Sequence, residues 1–234
     1  MDQNPPQTTR DGRRTVPAVW VARSFALLAV SAAFLLLVGW LVGSLIEADA
    51  GAFLRAIDRS LLESFAETRI SALTRAMRRA THLGDGLVVT ILAVLGGIGS
   101  YLVTRKPRWP VFFAACVLVA TQLSSITKAL VGRARPTLSP VYELASDAFP
   151  SGHATAAAAC YGALALLAGR ALPRRWSLPV VSLSLFVILL VGMTRVYLGV
   201  HWPTDVLGGW ALGGAWVAIV ARVLRPDRAD QDAP

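Results

Sequence analysis

The chain has 234 residues, 55% of them hydrophobic and 16% charged, with a formal net charge of +9. Soluble domains average roughly 45–50% apolar and about 25% charged residues, so this composition, with a mean hydropathy of +0.55, excludes disordered, collagen-like and soluble nucleic-acid-binding classes. Cys116 and Cys160 both fall inside apolar stretches and read as small buried hydrophobes rather than as a disulfide or metal pair.

Six runs contain no Asp, Glu, Lys or Arg: Ser24–Ile46, Gly86–Thr104, Trp109–Thr127, Gly152–Gly169, Trp176–Thr194 and Val206–Ala221. A spanning helix needs about 17–25 apolar residues. Five runs meet that length, and the sixth meets it if Arg222 snorkels from its end. Backbone groups in lipid must be satisfied within the segment, which predicts helices throughout. The first run, at 23 residues, exceeds the roughly 7–15 of a signal-peptide core, so an uncleaved first span is expected although Ala48-Asp49-Ala50 resembles a cleavage site.

Loop charge sets the orientation. Both tails and the alternate loops carry net +8, against +1 for the opposite side. The positive-inside rule therefore places both termini in the cytoplasm and absorbs the basic excess, leaving no support for a nucleic-acid partner. The expected plan is a cytoplasmic tail 1–23, a six-span domain 24–224 and a cytoplasmic tail 225–234. Within the domain, the outer segment Glu47–Asp85 repeats Phe53, Leu54, Ile57, Leu61, Leu62 and Phe65 at helical spacing among Arg55, Asp58, Arg59 and Glu63. One or two amphipathic helices are expected there, either lying on the membrane surface or capping the bundle. Phe53, Ile57, Leu61 and Phe65 are expected at a lipid-facing rim. His82 has no partner motif and reads as structural.

The remaining non-cytoplasmic loops are polar where they meet the spans. Lys128, Arg133 and Arg135 follow the third span, Pro150-Ser151-Gly152-His153 opens the fourth, and Arg195, His201 and Asp205 lie between the fifth and sixth. Lys and Arg suit phosphate oxygens, as a point charge and a planar fork respectively. Ser151 is placed to cap a helix whose free N–H groups form an anion site. Pro203 fits the first position of the last helix, which puts Asp205 one turn from His201, where it can fix the imidazole tautomer. A histidine so held suits a nucleophile, and the second histidine an acid/base. Singly, Arg133 or Arg135 reads as a headgroup anchor, His201 as an interfacial belt residue and Asp205 as a helix-start charge. Together on one membrane face they point to a functional site. On the last helix, the Gly209–Gly213 spacing predicts a face sealed against a neighbouring helix.

These residues resemble the type 2 phosphatidic acid phosphatase family, whose motifs are Lys-x6-Arg-Pro, Pro-Ser-Gly-His and Ser-Arg-x5-His-x3-Asp. The sequence carries Lys128 to Arg135-Pro136, then Pro150-Ser151-Gly152-His153, then Thr194-Arg195 to His201 to Asp205. Thr194 replaces the usual Ser and keeps a hydroxyl. The motifs occupy 128–205, and the six-span layout extends the match to most of the chain. The resemblance implies an all-α, six-transmembrane helical bundle of the fold shared with vanadium haloperoxidases, with the active site at the outer end of the core helices. It implies a membrane lipid phosphate phosphatase in which His201 attacks phosphorus to form a phosphohistidine. Asp205 orients His201, and His153 protonates the leaving oxygen and then activates water. Lys128, Arg135, Ser151, the Gly152 amide and Arg195 hold the phosphoryl oxygens. It implies no metal and no cofactor, and as partners only the bilayer and a lipid phosphate or diphosphate at the outer leaflet: phosphatidic acid, phosphatidylglycerophosphate, diacylglycerol diphosphate or a polyprenyl diphosphate. Two other classes share features of the pattern. A non-catalytic phospholipid-binding or transport protein on the same bundle would need neither nucleophile nor acid. A vanadate-dependent haloperoxidase has similar motifs in a larger, soluble protein.

Overall fold

The computed structural model describes residues 18–138 and 140–224. The expected tails lie outside the described residues over 1–17 and 225–234. The described residues form α1 (Ala18–Glu47), α2 (Ala52–Glu67), α3 (Ser71–Ala80), α4 (Gly86–Thr104), α5 (Arg108–Val131), α6 (Gly152–Ala171), α7 (Arg174–Tyr197) and α8 (Pro203–Leu224), with short 3₁₀ turns at Asp49–Gly51 and Thr81–Gly84. Each apolar run is a helix; α4 has the bounds of its run, and the others continue past theirs. Five helices are long and apolar enough to cross a membrane alone, and α4 makes a sixth span if joined to α3 across a 49° bend.

The bundle is organised around α6. Its Ala154, Ala156, Ala157, Ala158 and Ala159 are all buried, and small side chains let α4, α5, α7 and α8 pack against it. The glycine face of α8 is sealed as its spacing predicts. A Cβ at Gly209 would stand 2.7 Å from the Ser151 carbonyl oxygen and 2.9 Å from Ala154 Cβ, and one at Gly213 would stand 2.5 Å from the Thr155 carbonyl oxygen. This close approach brings the first turns of α6 and α8 side by side. The aromatic core of Trp109, Phe112, Phe113 and Trp216 fills the other end, where Trp216 Nε1 donates to the Ala115 carbonyl at 2.9 Å. Cys116 and Cys160 are free and buried, as expected.

The segment 47–85 folds as two amphipathic helices that cap the bundle. Asp58 and Leu62 of α2 are buried, while Phe53, Ile57 and Leu61 face outward. Phe65 departs from the expected rim. It turns inward and stacks edge-on against Tyr197, with ring centroids 6.1 Å apart, because α2 packs on α7 along this stripe.

Candidate active site

The three motif regions meet at one end of the bundle. Lys128 sits in the last turn of α5, and the chain leaves that helix through Gly132, whose φ of +64° is one that glycine adopts without Cβ strain. The loop from 132 to 151 crosses the site and delivers Arg133 and Arg135. The first turn of α6 supplies Gly152 and His153, the last turn of α7 supplies Arg195, and the turn into α8 supplies His201.

His201 is buried, and its two nitrogens have distinct partners. Nδ1 lies 3.2 Å from Asp205 Oδ2, and Nε2 lies 3.1 Å from an Arg135 guanidinium nitrogen. A carboxylate accepts and a guanidinium only donates, so the proton is on Nδ1 and the Nε2 lone pair faces the cations. Burial pushes the His201 pKa well below its ordinary value, and Arg135, Lys128, Arg195 and His153 push it further in the same direction. The imidazole is therefore neutral, with its free nitrogen inside a positive cluster. Asp205 lies in the first turn of α8, which Pro203 opens as predicted, and is fully buried. Its Oδ2 also accepts from the Trp202 amide at 2.9 Å, and its Oδ1 accepts from Arg133 at 2.7 Å.

Arg133 does not anchor a lipid headgroup. Its side chain is 3% exposed and donates to Asp205, to Asp58 Oδ2 at 2.9 Å, to Thr204 Oγ1 at 2.7 Å and to Glu47 Oε1 at 2.9 Å. Asp58 in turn accepts from the Thr204 amide at 2.9 Å, capping α8 from a distant helix. Its carboxylate was legible in the sequence only as a polar residue on an amphipathic face.

The other cations are held by neutral oxygens rather than by acids: backbone carbonyls for Lys128 and Arg135, hydroxyls for Arg195. Lys128 Nζ donates to the Asp147 and Ala148 carbonyls at 2.8 and 3.2 Å. Arg135 donates to the Val200 carbonyl at 2.6 Å and the Asp147 carbonyl at 3.2 Å. Arg195, buried, donates to Tyr142 Oη at 2.7 Å and Thr81 Oγ1 at 2.8 Å. This leaves their charge uncompensated. Three polar atoms here are buried without a partner: Arg195 Nε, Ser151 Oγ and Ser124 Oγ. Ser151 holds the N-cap position of α6 but its hydroxyl makes no capping bond, contrary to expectation, while its amide donates to the Asp205 carbonyl at 2.9 Å. Ser124, one turn before Lys128 on α5, belongs to none of the three motifs. A Cβ placed on Gly152 would meet only Lys128 Cε and Ser124 Oγ, each at 3.9 Å, so protein packing does not demand glycine there.

His153 has a partner that the motifs do not contain. Its Nε2 lies 2.8 Å from Oδ1 of Asp85, and Asp85 Oδ2 lies 2.7 Å from His82 Nδ1. Asp85 is held below the ordinary carboxylate range; burial opposes ionisation, but the hydrogen bonds and charges of His82 and His153 outweigh it. His82 is thus joined to the site rather than isolated. Among the described residues no cluster of three or more His, Cys, Asp or Glu side chains is arranged to hold a metal ion.

The His–Asp pair thus lies beneath cations that no carboxylate neutralises, at one end of a bundle of helices long and apolar enough to span a membrane. Residues 109–228 match the PAP2 superfamily, and the chain belongs to it. Phosphatidylglycerophosphatase B of Bacillus subtilis is 32% identical over 162 residues, covering 68% of this chain and 79% of that protein. The decaprenylphosphoryl-5-phosphoribose phosphatase of Mycobacterium tuberculosis is 38% identical over 154 residues, covering 62% and 77% respectively. A crystal structure of a transmembrane PAP2 type phosphatidylglycerolphosphate phosphatase from Bacillus subtilis aligns with a TM-score of 0.74 at 27% identity, covering 85% of this chain and 98% of that one. The chain is accordingly a multi-pass membrane lipid phosphate phosphatase, and the haloperoxidase and non-catalytic readings fall away.

Proposed function

We propose that this phosphatase removes phosphate from a lipid monoester or diphosphate at the non-cytoplasmic membrane face, through a phosphohistidine on His201. The observation that carries the reading is the pair of contacts that sets the His201 tautomer: Asp205 takes Nδ1–H, and the Nε2 lone pair faces Arg135. In the first step Nε2 attacks phosphorus, the P–N bond forms and the bond to the leaving oxygen breaks as His153 gives that oxygen a proton. In the second, His153 takes a proton from water, the water oxygen attacks phosphorus, and the P–N bond breaks to release phosphate. Lys128, Arg135, Arg195, Ser151 and the Gly152 amide hold the equatorial oxygens, which is where phosphoryl transfer gains most from fixed charge. The substrate set is that of the relatives, among them phosphatidylglycerophosphate and phosphorylated polyprenyl lipids, together with phosphatidic acid. The exposed apolar Phe53, Ile57 and Leu61 of α2 are taken to contact acyl or prenyl chains, as a lipid-facing rim would.

Purified protein assayed against a panel of these lipids tests the reading, with phosphate release as the measurement. The charge is supplied by side chains, so EDTA leaves turnover unchanged. Vanadate, which adopts the five-coordinate geometry of the transition state, inhibits it. Loss of activity on chelation that Mg²⁺ restores would refute the metal-free mechanism.

The loop charge asymmetry, +8 against +1, supports the outward-facing site. Thr137 is exposed in the loop that crosses the site. A Thr137→Cys variant lacking Cys116 and Cys160 is expected to react with an impermeant thiol reagent in intact cells. Labelling only after lysis would invert the topology.

A further inference from the structure

We propose that Asp85 is the positioning residue of the acid/base histidine, fixing the proton of His153 on Nε2 so that Nδ1 is the nitrogen that carries protons to and from substrate. The inference rests on the His153 role proposed above and assigns a residue outside the three motifs. Asp85 occupies the N-cap position of α4, yet its side chain makes no capping bond. The carboxylate instead accepts from two imidazoles, Nε2–H of His153 at 2.8 Å and Nδ1–H of His82 at 2.7 Å. With Nε2 committed, Nδ1 of His153 makes no hydrogen bond among the described residues.

The link carrying Asp85 is built to stand at this place. Tyr161 Oη of α6 donates to the Leu83 carbonyl at 2.9 Å, and Arg195 of α7 donates to Thr81 Oγ1 at 2.8 Å. Gly84 permits the approach; a Cβ there would lie 3.2 Å from His153 Cβ and 2.6 Å from Val191 Cγ1. The link is thus fastened to the helices that carry His153 and Arg195. The His82–Asp85–His153 arrangement parallels Asp205–His201 on the other side of the site. In each, a carboxylate fixes one imidazole nitrogen so that the other is presented for chemistry.

The test separates positioning from scaffolding through the leaving group. A lipid alkoxide must be protonated as it departs, whereas p-nitrophenolate leaves as a stable anion. For Asp85→Asn, pre-steady-state phosphorylation by a lipid phosphate is expected to slow about 10- to 100-fold, a part of the 10²–10⁴ that general acid catalysis supplies. The p-nitrophenol burst from p-nitrophenyl phosphate is expected to stay near wild type. Asp85→Ser is run in parallel, so that the result does not depend on one variant folding, and His82→Gln is expected to give a smaller loss of the same selectivity. Equal slowing of both substrates, or no slowing of either, in folded protein would overturn the positioning role. His153→Ala is the reference. If it shows the leaving-group selectivity and the Asp85 variants do not, the Asp85 assignment fails alone. If His153→Ala lacks the selectivity, the acid/base reading fails with it.

Discussion

His201→Ala is expected to reduce phosphate release to background, a loss on the order of 10⁴–10⁶-fold in kcat, while the purified protein keeps its elution profile and melting temperature. His201 is the imidazole whose unprotonated nitrogen faces Arg135 with Asp205 behind it, and His153, held by Asp85, is left for the acid/base role. Asp205→Asn is expected to cost less, about 10²–10⁴-fold, because the nucleophile remains but its tautomer is no longer enforced. The protonation state follows from the surroundings. Burial and the nearby cations place the His201 pKa well below its ordinary value. A base is neutral above its pKa, so His201 stays neutral and nucleophilic as pH falls through about 6.5, the ordinary histidine value, and protonates only at lower pH. In the ligand-free enzyme, nitrogen NMR of labelled His201 is expected to show a bare Nε2 and a protonated Nδ1 across that range. A titration centred near the ordinary value, or a wild-type rate in His201→Ala, would remove His201 from the nucleophile's role.

The sequence is most informative where physics acts locally. The spans are legible because lipid demands uninterrupted apolar helices, and α4 coincides with its uncharged run Gly86–Thr104. The His201–Asp205 pair is legible because four residues make one helical turn, and Pro203 marks where that turn begins. Asp58 and Asp85 are not legible. Asp58 lies 146 positions before the Thr204 it caps, and Asp85 lies 68 before His153. Each has an ordinary local explanation, one as the polar face of an amphipathic helix and the other as a helix cap. Only the docking of the segment 47–85 onto α7 and α8 shows that both carboxylates point inward. The same docking explains Phe65, whose position on the apolar stripe is clear from spacing but whose neighbour Tyr197 is not. Ser151 shows the opposite failure. Its type and place predict a cap, but its hydroxyl makes no capping bond and its amide is tied instead to the Asp205 carbonyl on α8.

Arg133→Ala is expected to be the most destabilising single change at this end of the bundle. The guanidinium is 3% exposed and bridges Asp58 and Asp205, whose side chains are 1% and 0% exposed. Removing one partner of a buried ion pair strands the other charge, at a cost of about 3–5 kcal/mol. Here two carboxylates are stranded together. The bond to Glu47, whose side chain is 44% exposed, adds little, because solvent screens it to about 0–1 kcal/mol. The consequence reaches the chemistry, since Asp205 Oδ1 loses its donor and Asp58 no longer fixes the start of α8. A lower melting temperature in detergent should therefore accompany a loss of kcat larger than that of KM. Arg133→Lys supplies one charge without the planar fork, so it can serve one carboxylate but not both, and it should fall between wild type and Arg133→Ala. The sign of a second substitution separates charge from packing. Asp58→Asn destabilises the wild type, because it leaves Arg133 with one anion fewer, but in the Arg133→Ala background it removes a stranded charge and should recover part of the lost stability. Additive losses in the double variant would mean that Arg133 serves by filling space, and an unchanged melting temperature in Arg133→Ala would mean that the network does not hold the site.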